Sequence, residues 1–207
     1  MLWAWERPED LRFIVPSDTG VAFLAATIFL QDDQCTYTPR RQPLRIPPDT
    51  RVMAVVRIES HGKVDVAQIV DEALIAIADK RITALQIDFD ARLSERPFYR
   101  ALLAAIRARL PSEMPLEMTA LASWCASDDW LRKLPVAEAV PMFFRMGADP
   151  HPVNQTLHEP LCQSSLGIST DELYTEVPRG RRMFVFHPRA WTEADYRAVL
   201  QESKKWR

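Results

Sequence analysis

The segment "LQIDFDA" (85–91) sets Asp88 and Asp90 two residues apart at the end of an aliphatic run. "VVRIE" (55–59) does the same with Arg57 and Glu59. In an extended chain residues i and i+2 share a face, so each pair projects to one side of its strand. If the two strands are neighbours and those faces point inward, three carboxylates and a guanidinium converge on one cavity. Burying such groups unpaired is costly, so the pattern demands hydration, ion pairing or a ligand. Two carboxyl groups flanking a sugar linkage, one protonated and one charged, are the machinery of glycoside hydrolysis. On that reading Asp90, nearest the mouth, is the general acid. Asp88 beneath it stays ionised and raises its neighbour by like-charge repulsion. Glu59 or Asp171 serves as nucleophile or base. The competing reading is structural: Arg57 and Arg145 neutralise Asp88 and Glu59 in an ion-pair network that plugs the core.

The remaining candidates come from the ends of other strands. Trp5 and Trp124 are platforms on which a sugar ring could stack, and Glu6 and His187 sit at the same ends as the catalytic candidates. Arg57 and Arg145 either bind an acidic sugar or hold Asp88 charged. The carboxylates with His187 form at best a weak metal set, and His151 and His158, seven apart, match no zinc spacing. Cys125 near His187 invites a nucleophile reading but has neither a helix start nor a glycine elbow to activate it. It reads as a buried thiol or as a disulfide half with Cys162, which leaves Cys35 over. Asn154-Gln155-Thr156 is a nominal glycosylation acceptor and is discounted. No nucleotide, flavin or pyridoxal signature appears, so no cofactor is implied.

These residues need strands to position them, and eight apolar, β-prone segments follow in order. They are "LWAW" (2–5), "GVAFLAATIFL" (20–30), "RVMAVVRIE" (51–59), "TALQIDFD" (83–90), "LEMTALASW" (116–124), "AVPMFFRM" (139–146), "LGIST" (166–170) and "RRMFVFHP" (181–188). Several are continuous hydrophobic runs, as parallel strands covered on both faces should be. Helical spacing links Val66, Ile69, Val70, Ala73 and Ile77, and again Phe98, Leu102, Leu103, Ile106 and Leu110. Ser94 suits an N-cap with Pro97 in the first turn. Thr192 and Asp195 form a shortened capping box before "YRAVLQESKKW". "ASDDWLRKL" (126–134) predicts two helical turns, and "TDELYTEV" (170–177) a short helix. The stretch 31–50 is too rich in proline for a helix.

Alternating strands and helices predict a parallel α/β fold, and eight strands is the number that closes a (β/α)₈ barrel. The expected architecture is one compact, irregular TIM-like barrel over residues 1–207, with some helices short or missing. An open doubly wound sheet is the runner-up, but it lacks the glycine-rich turn of a dinucleotide site. In a barrel the C-terminal strand ends build the active site, and charges gather at those ends here.

Whole-chain properties narrow the partners. A formal net charge of −2, with 26% charged residues, argues against nucleic acid held by bulk electrostatics. The basic clusters "PRRQPLR" (39–45) and "PRGRRM" (178–183) read as solvated loop charge. No stretch approaches the ~20 apolar residues of a membrane span. The chain opens almost directly on strand-like residues. That leaves a periplasmic or secreted protein if a leader was removed upstream, and a cytoplasmic one otherwise. A polysaccharide or oligosaccharide is the expected partner.

The motifs "WAWERPEDL", "VVRIE", "LQIDFDA", "TALASWC", "VPMFFRMG" and "GISTDE", in that order over nearly the whole chain, resemble an uncharacterised bacterial family catalogued as domain of unknown function 3142. That resemblance implies a grouping and no reaction. More loosely, Asp-x-Asp at the end of the fourth strand is similar to barrel glycoside hydrolases, including the chitinase-like group. Their pattern continues to a glutamate acid two residues on, where this chain has Arg92. A carbohydrate-binding or scaffolding barrel without catalysis is the alternative from a different class.

Overall fold

The computed structural model describes residues 1–62, 65–144, 157–172 and 178–205. All eight apolar segments form strands: β1 (Leu2–Ala4), β3 (Val21–Asp32), β6 (Val52–Gly62), β7 (Ile82–Asp88), β8 (Leu116–Leu121), β9 (Glu138–Met142), β10 (Ser165–Ser169) and β11 (Arg182–Phe186). They pair in parallel in chain order, and β1 hydrogen-bonds both β3 and β11. The sheet is therefore closed, which removes the open-sheet alternative. Three further strands decorate it: β2 (Glu9–Asp10) pairs with β5 (Leu44–Arg45), and β4 (Gln34–Pro39) runs antiparallel to β3.

Among the described residues, four helices lie outside the barrel. They are α1 (Val66–Ile75) after β6, α2 (Arg96–Arg109) after β7, the five-residue α3 (Ala122–Ala126) after β8, and α4 (Glu193–Ser203) after β11. Strict strand–helix alternation is thus kept only in part. The proline-rich 31–50 stretch is no helix, as expected. It forms the β3–β4 hairpin and β5 instead, because each proline removes an N–H donor that a helix would need.

The apolar faces sort into an inner and two outer layers. Trp3, Ala22, Met53, Val55, Ala84, Val140 and Phe184 fill the barrel. Ile58, Leu85, Ile87, Phe89 and Met118 face outward, where Ile69, Val70 and Ala73 of α1 and Tyr99, Leu102, Leu103 and Ile106 of α2 cover them. Leu2, Ala4, Val21 and Val185 meet Trp191 and Tyr196 at α4.

Local capping follows the sequence in places. Asp65 accepts from the Ala67 N–H at the start of α1, and the Thr192–Asp195 capping box opens α4. Ser94 is not the cap of α2. A 3₁₀ turn over Leu93–Glu95 precedes that helix, with Glu95 Oε2 accepting from the Arg92 N–H at 2.8 Å. The two helical turns predicted over 126–134 do not form: past Ala126 the chain runs in turns and bends to Leu134, and the helical residues are those of α3, which shortens the fifth barrel strand. Cys125 in α3 is joined to Cys162 in the 3₁₀ turn Pro160–Cys162, leaving Cys35 free.

The basic clusters are not simply solvated. Arg40 donates to the carbonyls of Trp5 and Arg7 at 2.5 Å each, so it staples the loop after β1. Arg182 turns into the barrel and binds Glu117 and Glu138.

Candidate active site at the barrel mouth

Strand register decides which side chains meet. Arg57 lies opposite Asp88 across the β6–β7 pair, and Glu59 is two residues further along β6. Alternation continues past the end of β7: Phe89 is buried against Phe98 and Tyr99 in the outer layer, which turns Asp90 to the inner side. Arg57, Glu59, Asp88 and Asp90 therefore come together at the C-terminal end of the barrel.

Arg57 is the hub. Its Nη1 donates to Asp88 Oδ2 at 3.0 Å and its Nε to Glu59 Oε1 at 3.0 Å. Its guanidinium carbon lies 5.5 Å from the centroid of the Trp5 ring. Burial works against the charge on Arg57, but Asp88, Glu59 and Asp90 outweigh it and raise the guanidinium further. Asp88 is buried, and its second oxygen accepts from Thr119 Oγ1 at 2.8 Å. Both of its oxygens are thus occupied, which compensates its burial.

Asp90 differs. No hydrogen bond reaches it among the described residues, and it extends to solvent at the rim. Partial desolvation and then the charge on Asp88 push its carboxyl above the usual range, while Arg57 pulls the other way. A carboxylate with both oxygens bonded thus lies near an unbonded one whose carboxyl is raised. That asymmetry separates acid from base in paired-carboxylate sites.

The other candidates fare unevenly. Trp5 is half-buried at the mouth, but Arg57 covers one face and Phe186 meets it edge-on at 6.1 Å, so it offers little platform. Asp171, at the rim beyond β10, accepts from Ser169 Oγ. Glu6 is exposed on the loop after β1, and its charge acts on Arg40. Trp124 is 3% exposed, in α3 rather than on a strand, and packs edge-on against Trp130 at 4.8 Å. The chain leaves the β8 strand at Leu121, which carries Trp124 into the outer layer and removes it as a sugar platform. His187 also faces outward. It stacks near Trp191, shares a 2.5 Å hydrogen bond with Thr170, and lies 3.6 Å from Asp195, fastening α4 to the barrel. Arg145 lies outside the described residues, as do His151, Asn154, Gln155, Thr156 and residues 173–177 of the segment expected to form a short helix. Among the described residues no group of three or more His, Cys, Asp and Glu is arranged to hold a metal.

Two mouth residues escaped the sequence reading. Thr119 shares the inward face of β8 and could have been found by stepping in register from Asp88. Phe29 stands opposite Glu59 in the β3–β6 pair and is 39% exposed. A bulge between Leu24 and Ala26 shifts the register there, so simple alternation from Ala22 assigns Phe29 to the wrong face.

No curated protein and no solved structure matches the chain. Residues 49–150, just under half of the 207, match the family model described as a domain of unknown function (DUF3142), a stretch that holds Arg57, Glu59, Asp88, Asp90 and Thr119 and so supports the resemblance carried by the motifs within it.

Proposed function

We propose that the barrel is a reduced, TIM-like (β/α)₈ fold whose mouth acts on polysaccharide or oligosaccharide as a glycoside-hydrolase-like site. The observation that carries this reading is the inequality of the two aspartates: Asp88 saturated by Arg57 and Thr119, Asp90 unbonded with a raised carboxyl. Asp90 would donate its proton to the glycosidic oxygen as the bond to the anomeric carbon breaks. Glu59 has one oxygen on Arg57. Its other oxygen would either bond to the anomeric carbon, with water later releasing the sugar, or take a proton from the attacking water. Asp171, on the rim at β10, is the alternative partner. Phe29 would supply the ring platform.

A screen of polysaccharides for reducing-end release tests this with wild type and Asp90→Asn. Release by wild type that falls at least ~100-fold in the variant supports the reading, since general acid catalysis contributes about 10²–10⁴-fold. Absence of release from every glycan in the screen overturns the catalytic reading.

One observation favours a second reading. Arg57 bonds both Asp88 and Glu59 and covers Trp5, as a structural plug would. On that reading the barrel binds glycan or serves as a scaffold without turnover. Binding without release, unaffected by Asp90→Asn, would select it.

A further inference from the structure

Below the mouth, a second set of polar side chains faces into the barrel. Gln86 lies two residues before Asp88 on the same face of β7 and is opposite Glu117 in β8; Glu117 is in turn opposite Glu138 in β9. Arg182 Nη2 donates to Glu117 Oε1 at 3.0 Å and also to Glu138. Ser165 Oγ lies 3.0 Å from each Glu138 oxygen. This network belongs to the N-terminal end of the barrel, opposite the mouth.

Gln86 is fully buried, yet neither its amide nitrogen nor its amide oxygen has a hydrogen-bond partner among the described residues. Glu117, 4% exposed, leaves Oε2 without a hydrogen-bond partner among the described residues. Trp3 Nε1 is a further unpartnered donor inside the barrel. A buried amide or carboxylate oxygen without a partner is destabilising by about 1–3 kcal/mol, and native interiors resolve such groups with protein or ordered water. Two neighbouring strands that each present an unsatisfied group inward supply what an enclosed water requires, at least two polar partners. The next inward residue on β7 is Ala84, too short to reach either group.

We propose that the barrel interior holds an enclosed water bridging the Gln86 amide to Glu117 Oε2. The bridge ties Gln86 of β7 into the network of Glu117, Glu138, Ser165 and Arg182 that forms the polar floor of the barrel. The inference is independent of what the mouth binds.

A high-resolution crystal structure of the wild-type chain tests the site directly. Water density within hydrogen-bond distance of both the Gln86 amide and Glu117 Oε2 is expected. A direct Gln86–Glu117 hydrogen bond with no water there overturns the proposal. Water-proton relaxation dispersion in solution gives a second measurement, through the Gln86→Met variant. Wild type should show at least one more long-lived buried water than the variant, and equal counts overturn the proposal. The melting temperature adds an energetic readout. Exchanging a satisfied amide for a thioether should lower it by about 3 °C or more. An unchanged or higher value would mean that Gln86 was never satisfied, which also overturns the proposal.

Discussion

At the scale of single residues, the mouth is organised by Arg57. Replacing it with Met would leave Asp88 buried with only Thr119 as a partner. A broken buried pair is typically destabilising by 3–5 kcal/mol, and the 30% exposure of the Arg57 side chain reduces that toward about 2 kcal/mol. Chemical denaturation of Arg57→Met checks it, and a change below about 0.5 kcal/mol would mean that the pair is solvated. Asp90→Asn should behave oppositely. It removes a carboxyl whose ionisation the site disfavours, so stability at neutral pH should hold or rise. Phe29 is exposed beside Glu59 and supports little packing. Phe29→Ala should therefore leave the melting temperature nearly unchanged while weakening glycan affinity several-fold, as read by calorimetric titration.

At the scale of elements, two covalent or local devices shape the outside of the barrel. The Cys125–Cys162 bond ties α3 to the 3₁₀ turn before β10 across 37 residues. A closed loop of that length corresponds to about 3–4 kcal/mol. Cys125→Ala with Cys162→Ala should lower stability by an amount of that order, and so should a reductant added to wild type. Coincident melting curves for oxidised and reduced protein would count against the bond. The bulge at Ala25 is the other device. It inverts the inward face of β3 and brings Thr27 and Phe29 to the mouth side beside Arg57 and Glu59.

At the scale of the whole molecule, the barrel is held by outer hydrophobic layers and crossed by ionisable groups, so its stability should depend on pH. Burial and then the charge on Glu138 raise the Glu117 carboxyl to about 8, against the pull of Arg182. An unfolded chain sheds that proton near the ordinary value of 4.5. Between those values the folded state binds the proton and the unfolded state does not. The contribution of Glu117 is thus complete at the acid end and is lost as pH rises toward about 8. The comparison with Glu117→Gln isolates the carboxyl. The melting temperature of wild type relative to the variant should decline from pH 5 to pH 8, and parallel curves would place the proton elsewhere.

The eight strand segments, the shared face of Asp88 with Asp90 and of Arg57 with Glu59, and the capping box of α4 were legible in the chain by itself. Each rests on a pattern within a few residues, and period-2 alternation is a property of the backbone. Barrel closure, the disulfide partner, the loss of Trp124 to the outer layer, the arrival of Phe29 at the mouth and the polar floor around Glu117 were decided by tertiary structure. The physical reason is common to all of them. A bulge, a strand that stops three residues early, or a pairing between β1 and both β3 and β11 depends on neighbours distant in the chain. One such shift of register reverses which face of a strand is buried.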